Sequence, residues 1–176
     1  MRTLLAIALI TIALPLRADR ISDWHEDLAT LHTELSAHKK FKACGLPDEV
    51  TARISSLADR VSAMSDEAVA VEIQHILALA GDGHTLLWPF GMQRLPVTLW
   101  WFDDGVYVVS GAFAQRRITN IGGVPVDEVF QRLEPFISHD NEMQFRWAAP
   151  FYATMPAFLR AAGLGPSLTF DDGRVV

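Results

Sequence analysis

An α+β fold is the class this sequence predicts, and two observations carry it. Apolar residues recur at helical spacing through the first half of the chain, whereas from Leu86 onward short β-branched and aromatic runs alternate with turn signals before helical spacing returns. Trp24, Leu28, Leu31 and Leu35 mark one face of a first helix that Ser22 is placed to cap and that ends near His38. Beyond a loop through Cys44 and Gly45, Pro47 suits a first-turn position, and Val50, Ile54, Leu57 and Val61 form a second stripe. A third helix follows Ser65, with Asp66 and Glu67 in its first turn, and runs through Val69, Ile73, Ile76 and Leu77 to a stop at Gly81. Short links between these helices predict a small three-helix bundle.

The β signals begin at residues 97–101 and 106–110, two runs joined by Asp103, Asp104 and Gly105, which read as a hairpin turn. Residues 118–121 form a further strand, and Gly122 and Gly123 turn it into Val124, Pro125 and Val126. A helix carrying Val126, Val129, Phe130 and Leu133 comes next, and then helical stretches at about 141–147 and 151–162. Residues 167–170 read as a last strand, after which Asp171, Asp172 and Gly173 turn the chain so that residues 174–176 open a strand pairing with it, an incomplete hairpin.

Ahead of all this, residues 1–18 have the parts of a cleavable secretory signal peptide. Arg2 supplies the positive charge, residues 4–14 an uncharged apolar run, and Ala18 a small residue for cleavage before Asp19, although Leu16 is bulky for its place. An uncleaved anchor is the alternative, but that run falls well short of the ~20 residues a spanning helix needs. The expectation is an exported protein, periplasmic or secreted, with no stable membrane anchor after cleavage. Cys44 is the single cysteine, so no internal disulfide is available and packing must hold the fold. A net charge of -6 without a basic stripe argues against nucleic acid as a partner.

Chemistry concentrates at residues 79–85, where an apolar helix breaks at Gly81 and a polar turn presents a histidine. Gly81 and Gly83 permit a sharp turn, Asp82 can accept local amide hydrogens, and His84 is the side-chain type that titrates near neutrality. Such a turn can hold a general base; it can equally be a helix cap whose histidine satisfies backbone carbonyls. Ser110 lacks the Gly-x-Ser-x-Gly elbow and reads as a strand-end residue. His25, His32 and His38 lack metal-site spacing and read as solvated helix faces, and His75 and His139 as surface residues; no metal and no cofactor is expected. Trp88, Trp100, Trp101 and Trp147 could form an aromatic platform, but Trp100 and Trp101 are neighbours on a strand, so at least one belongs to the core.

These segments in their order resemble the front part of the tail-specific protease-like proteins, the C-terminal processing and tricorn-like serine peptidases. The resemblance is carried by Gly81-Asp82-Gly83-His84-Thr85 at a helix end and by Arg94-Leu95-Pro96-Val97. The Asp103-Asp104-Gly105 hairpin and Ile121-Gly122-Gly123-Val124-Pro125-Val126-Asp127-Glu128-Val129 extend it. Trp24, the His38 and Phe41 pair, Asn141 and the Gly163-Leu164 helix end fall into the same order. It implies that His84 is the catalytic general base activating a serine. In the tricorn-like branch a serine often precedes that histidine, and Gly83 stands there instead.

The resemblance divides the chain into a signal peptide at 1–18, a helical domain at 19–85 ending in the Gly-Asp-Gly-His-Thr turn, and a PDZ-like β-rich portion with C-terminal helices at 86–176. Around Gly122 and Gly123, relatives of that portion receive substrate C-termini as an added strand. The nucleophilic serine belongs to a later α/β domain that nothing up to Val176 matches. Peptide or protein C-termini are then the implied substrates, and hydrolysis by this chain alone is not expected. A non-enzymatic peptide-binding module and a gene fragment are the competing readings.

Overall fold

The computed structural model describes residues 19–88 and 91–176; the export leader read at 1–18 lies outside the described residues. Within them the fold is α+β, with six α-helices and a five-stranded antiparallel sheet.

Three helices come first: α1 (Asp19–Ala37), α2 (Asp48–Arg60) and α3 (Asp66–Ala78). Their stripes bury as the spacing predicts, with Leu28, Leu35, Val50, Leu57, Val69 and Ile76 all in one apolar cluster. Each such fully buried aliphatic side chain contributes roughly 1.5–3 kcal/mol. Ser65 caps α3 by accepting the Ala68 N–H at 3.2 Å. Ser22, by contrast, lies inside α1 rather than at its cap. α1 is tied to the start of α3, because Arg20 donates to Asp66 Oδ1 at 2.6 Å and to the Met64 carbonyl at 2.8 Å. Trp24 Nε1 adds a bond to the same carboxylate at 2.7 Å.

The strands are β1 (Val97–Phe102), β2 (Gly105–Gly111), β3 (Arg117–Ile121), β4 (Val124–Pro125) and β5 (Leu168–Phe170). β1 and β2 form the hairpin that the Asp-Asp-Gly turn predicts, with an irregularity between Thr98 and Leu99. β3 lies at the centre. Ile118 pairs with Val106 of β2 on one side and with Phe170 of β5 on the other, and Ile121 pairs likewise with Val124 of β4 and Leu168 of β5. Beyond β5 the chain folds back, and Leu168 and Val176 exchange backbone hydrogen bonds at 2.8 and 3.0 Å.

The remaining helices are α4 (Val126–Leu133), α5 (Glu142–Tyr152) and α6 (Pro156–Ala161). They bury Phe130, Leu133, Ala149 and Phe158 with Leu99, Val108, Ile118 and Phe170 of the sheet in a second, larger apolar cluster. The break expected near 147–151 falls instead at 153–155. α5 runs through Pro150, and Thr154 ends it by returning its hydroxyl to the Phe151 carbonyl at 2.7 Å, after which Pro156 opens α6. Trp101 stacks on Phe130 at 4.6 Å, while Trp100 on the opposite face is 44% exposed.

α3 joins the two clusters. Val69 and Ile76 face the helical cluster, Val71 the larger one, and the buried Gln74 donates to the Phe136 carbonyl at 3.0 Å and to Ser138 Oγ at 3.3 Å. His75 and His139 are not plain surface residues: both are half-buried, His75 stacked on Phe136 at 4.8 Å and His139 on Phe145 at 5.2 Å. Burial lowers the His75 pKa, and the nearby Arg53 guanidinium adds to that. Among the described residues no helix is long and apolar enough to cross a membrane.

Candidate functional site: the turn after helix α3 and the cleft beside it

Helix α3 gives way to a final turn whose last residue, Gly81, adopts a left-handed φ of +55° with its N–H on the Ala78 carbonyl at 2.9 Å. The next four residues close a turn through Thr85 N–H to the Asp82 carbonyl at 2.9 Å. Asp82 also uses its side chain, accepting the His84 N–H on Oδ1 at 3.0 Å. The turn is therefore built from its own polar groups, as residues 81–85 suggest.

What the sequence conceals is the second set of supports. Asp140, just before α5, accepts the Gly83 N–H at 3.0 Å, and Gln144 in the first turn of α5 donates to the Gly83 carbonyl at 3.2 Å. Ser138 donates to the Thr85 carbonyl at 2.6 Å, and Gln74 accepts the Leu87 N–H at 2.7 Å. These residues lie 57 and 61 positions from Gly83 in the first two cases, so no local pattern announces them.

Gly83 itself has a packing reason. A Cβ built there would stand 2.0–2.4 Å from the Gln144 side-chain amide, which is fixed by its bonds to Gly83 O and to the Asp140 N–H at 2.9 Å. A serine at this position would have to displace Gln144.

The His84 imidazole projects outward with 89% of its side chain exposed, Nδ1 3.7 Å from Asp82 Oδ1 and 3.8 Å from Asp140 Oδ2. Its ring is hydrogen-bonded to no backbone carbonyl among the described residues. The Asp82 side chain is only 13% exposed, and Oδ2 faces Lys39 Nζ at 3.2 Å and His38 Nε2 at 3.3 Å. The His84 N–H above all, then Lys39 and His38, hold the Asp82 carboxyl down at about 2, so it is an anion at any ordinary pH. His38, read from the sequence as a solvated helix face, is instead half-buried against this turn and shares Nε2 with Thr85 Oγ1 at 3.2 Å. His25 and His32 stay exposed on α1.

Asp82, His84 and Asp140 place one donor atom each within 4.8 Å of the others, an arrangement with the right elements for a divalent cation. Lys39 already occupies one side of Asp82, and two of the three groups are open to solvent. Ser110 is remote in role: its hydroxyl donates to Thr98 Oγ1 at 2.8 Å across the β1–β2 hairpin. Cys44 is exposed, its thiol near the Lys40 carbonyl at 3.4 Å.

Beside the turn lies an apolar cleft of about 260 Å³. Gly83 and Leu86 form one end, β1 contributes Thr98, Leu99 and Trp100, and α5 contributes Trp147, Ala148 and Phe151. Three of the four tryptophans singled out in the sequence, Trp88, Trp100 and Trp147, line it and are 44–58% exposed. The platform expected from the tryptophans is thus a cleft wall, with Trp101 turned to the core.

The chain matches no protein-family model, no curated protein and no solved structure.

Proposed function

We propose that the chain is the scaffold and general-base half of an exported, tail-specific protease-like serine peptidase. Residues 19–85 serve as its three-helix portion and 86–176 as its PDZ-like portion. One observation carries the reading: an exposed imidazole beside a half-buried carboxylate that stays charged at ordinary pH, on a braced turn next to an apolar cleft. A carboxylate near Nδ1 leaves Nε2 to take the proton of a nucleophile and stabilises the imidazolium that forms, which is the logic of a triad. Asp82 fills the carboxylate role, with Asp140 on the other side of the ring.

Among the described residues no hydroxyl or thiol is hydrogen-bonded to the His84 ring, so in this reading the attacking serine comes from a separate α/β domain. Peptide or protein C-termini are the substrates, and the leader at 1–18 delivers the protein outside the cytoplasm. The absence of a bonded nucleophile also favours a second reading, a peptide-binding module that uses the cleft without chemistry.

The test joins a serine-bearing α/β domain of the tail-specific protease kind to the chain after Val176 and assays peptide hydrolysis. Hydrolysis blocked by a serine-directed inhibitor and lost in His84→Ala is the expected result. No hydrolysis, or hydrolysis indifferent to His84→Ala, overturns the base assignment. The chain alone should give no turnover; inhibitor-sensitive turnover by it would place the nucleophile within these residues.

A further inference from the structure

The cleft carries groups that the peptidase reading does not call for. We propose that it is a binding site for a small aromatic carboxylic acid, with the ring among the tryptophans, the carboxylate on Arg94 and the Tyr152 hydroxyl as a second donor.

Size limits the ligand. The cleft holds about 260 Å³. An apolar cavity of about 150 Å³ takes a benzene ring, and sites for drug-sized ligands begin at about 300 Å³. The space therefore suits one ring on a short arm. Its walls favour a flat body, because Trp88, Trp100 and Trp147 all line it and stand about half exposed. An aromatic ring can stack on such indole faces, whereas an aliphatic chain makes no ring contact and gives up more rotamer freedom on binding.

Polar groups decide the charge. Most of those in the lining are already engaged within the protein: Ser138 donates to the Thr85 carbonyl, Thr154 to the Phe151 carbonyl and Gln144 to the Gly83 carbonyl, and Thr98 accepts from Ser110. Arg94 and Tyr152 have neither a hydrogen-bond nor an ion-pair partner among the described residues. Arg94 is the one charged residue of the lining, and its guanidinium lies over the Phe151 ring at 4.5 Å. Arg146, on the same helix as Phe151, has Asp103 at 3.5 Å. A guanidinium left without an acid in a chain of net charge -6 is available to an anion from outside.

Tyr152 is the stronger mark. It is 5% exposed, with its ring packed edge-on to Phe158 at 4.8 Å. A buried phenol ordinarily finds a partner for its O–H. Among the described residues no fully enclosed side-chain oxygen or nitrogen lacks a partner, so the unbonded Tyr152 oxygen still meets solvent, and the cleft is the space this residue lines. Burial raises the phenol pKa to about 12, which keeps the group an O–H donor at any ordinary pH. The same stretch of chain brings Arg94 close: the N–H of Leu95, its neighbour, is bonded at 2.7 Å to the carbonyl of Thr154, two residues beyond Tyr152. Donors without partners call for an acceptor, and a carboxylate is the acceptor that also answers the charge. A neutral sugar would stack on the indoles but leave the Arg94 charge unanswered.

The experiment is calorimetric titration of the purified chain with hydrocinnamate, which is a phenyl ring on a short arm ending in a carboxylate, with its amide, and with octanoate. The acid should bind, the amide about tenfold or more weakly, and octanoate about threefold or more weakly. Arg94→Ala should bring the acid down to the level of the amide and leave the amide unchanged. Tyr152→Phe keeps the ring and removes only the hydroxyl, so it should weaken the acid about threefold or more while thermal stability holds or rises. Absence of binding by the acid overturns the proposal, as does equal binding of acid and amide or of acid and octanoate. So does an affinity that Tyr152→Phe leaves unchanged. A hexapeptide ending in phenylalanine that binds more tightly than hydrocinnamate would make the cleft part of a peptide site and overturn it as well. His84→Ala should leave every affinity as it was, so failure here is separable from failure of the hydrolysis test.

Discussion

At the scale of single residues the site is governed by Asp82, which serves two masters with its two oxygens. Oδ1 fixes the His84 backbone and Oδ2 meets Lys39 and His38, so the carboxylate both shapes the turn and supplies its charge. Its pKa falls from 3.8 to about 2, and the sign of the consequence follows directly. A carboxyl with a folded pKa below its unfolded one contributes stability above the unfolded value, and that contribution disappears as pH falls through the folded value. The turn should therefore hold its form at pH 4 and loosen between about pH 4 and about pH 2. The His84 and Thr85 amide chemical shifts, followed by NMR during acid titration, read this directly: a midpoint near 2 is expected, and one near 3.8 would show that the bonds to Asp82 are not maintained in solution. That Asp82 and His84 act together was legible in the sequence, since they sit two residues apart in a turn. That His38, Asp140 and Gln144 join them was not, because each arrives through a tertiary contact.

At the scale of elements the sequence was most readable where a single physical rule decides. Helix α3 begins at its Ser65 cap and stops before Gly81, and the β1–β2 hairpin turns on Asp103, Asp104 and Gly105. It was less readable where two rules compete. Ser22 is a good cap but lies inside α1, which Arg20 ties to the start of α3, and Pro150 disturbs α5 less than Thr154 and Pro156 do. The Gly122 and Gly123 turn separates two demands that look identical in sequence. Both glycines are left-handed, at +60° and +79°, but a Cβ at Gly122 meets the Gly165 backbone while one at Gly123 meets nothing within 4 Å. Gly123→Ala should thus cost only the left-handed strain, about 1–2 kcal/mol. Gly122→Ala adds a clash with main chain that no rotamer relieves, and should cost about 3 kcal/mol or more. Urea unfolding of the two variants side by side checks the difference; equal losses would mean that the 163–167 segment yields to the turn.

At the scale of the whole molecule, two apolar clusters are tied by one helix and by the polar groups it buries. The helical cluster was visible in advance as three stripes, and the α+β class as a change of period, but the joint between them was not, since Gln74 reads as an unremarkable polar residue in α3. In the fold it is 1% exposed and makes three bonds, to the Phe136 carbonyl, to Ser138 Oγ and from the Leu87 N–H. Ser138 in turn holds the Thr85 carbonyl, so the same joint that connects the clusters also sets the segment that follows His84. Gln74→Leu keeps the volume but strands buried polar groups, each at about 1–3 kcal/mol, while a change on the exposed side of α1 such as Glu26→Gln should stay within about 0.5 kcal/mol. The joint predicts more than a loss of stability. If Gln74 couples the clusters, Gln74→Leu should also speed hydrogen exchange at Leu87 and Ile137. A variant destabilised equally by Leu57→Ala, deep in the helical cluster, should leave exchange at these two amides unchanged below its unfolding transition. Equal loss of protection in both variants would show that these amides report global stability, and that Gln74 has no particular part in joining the clusters.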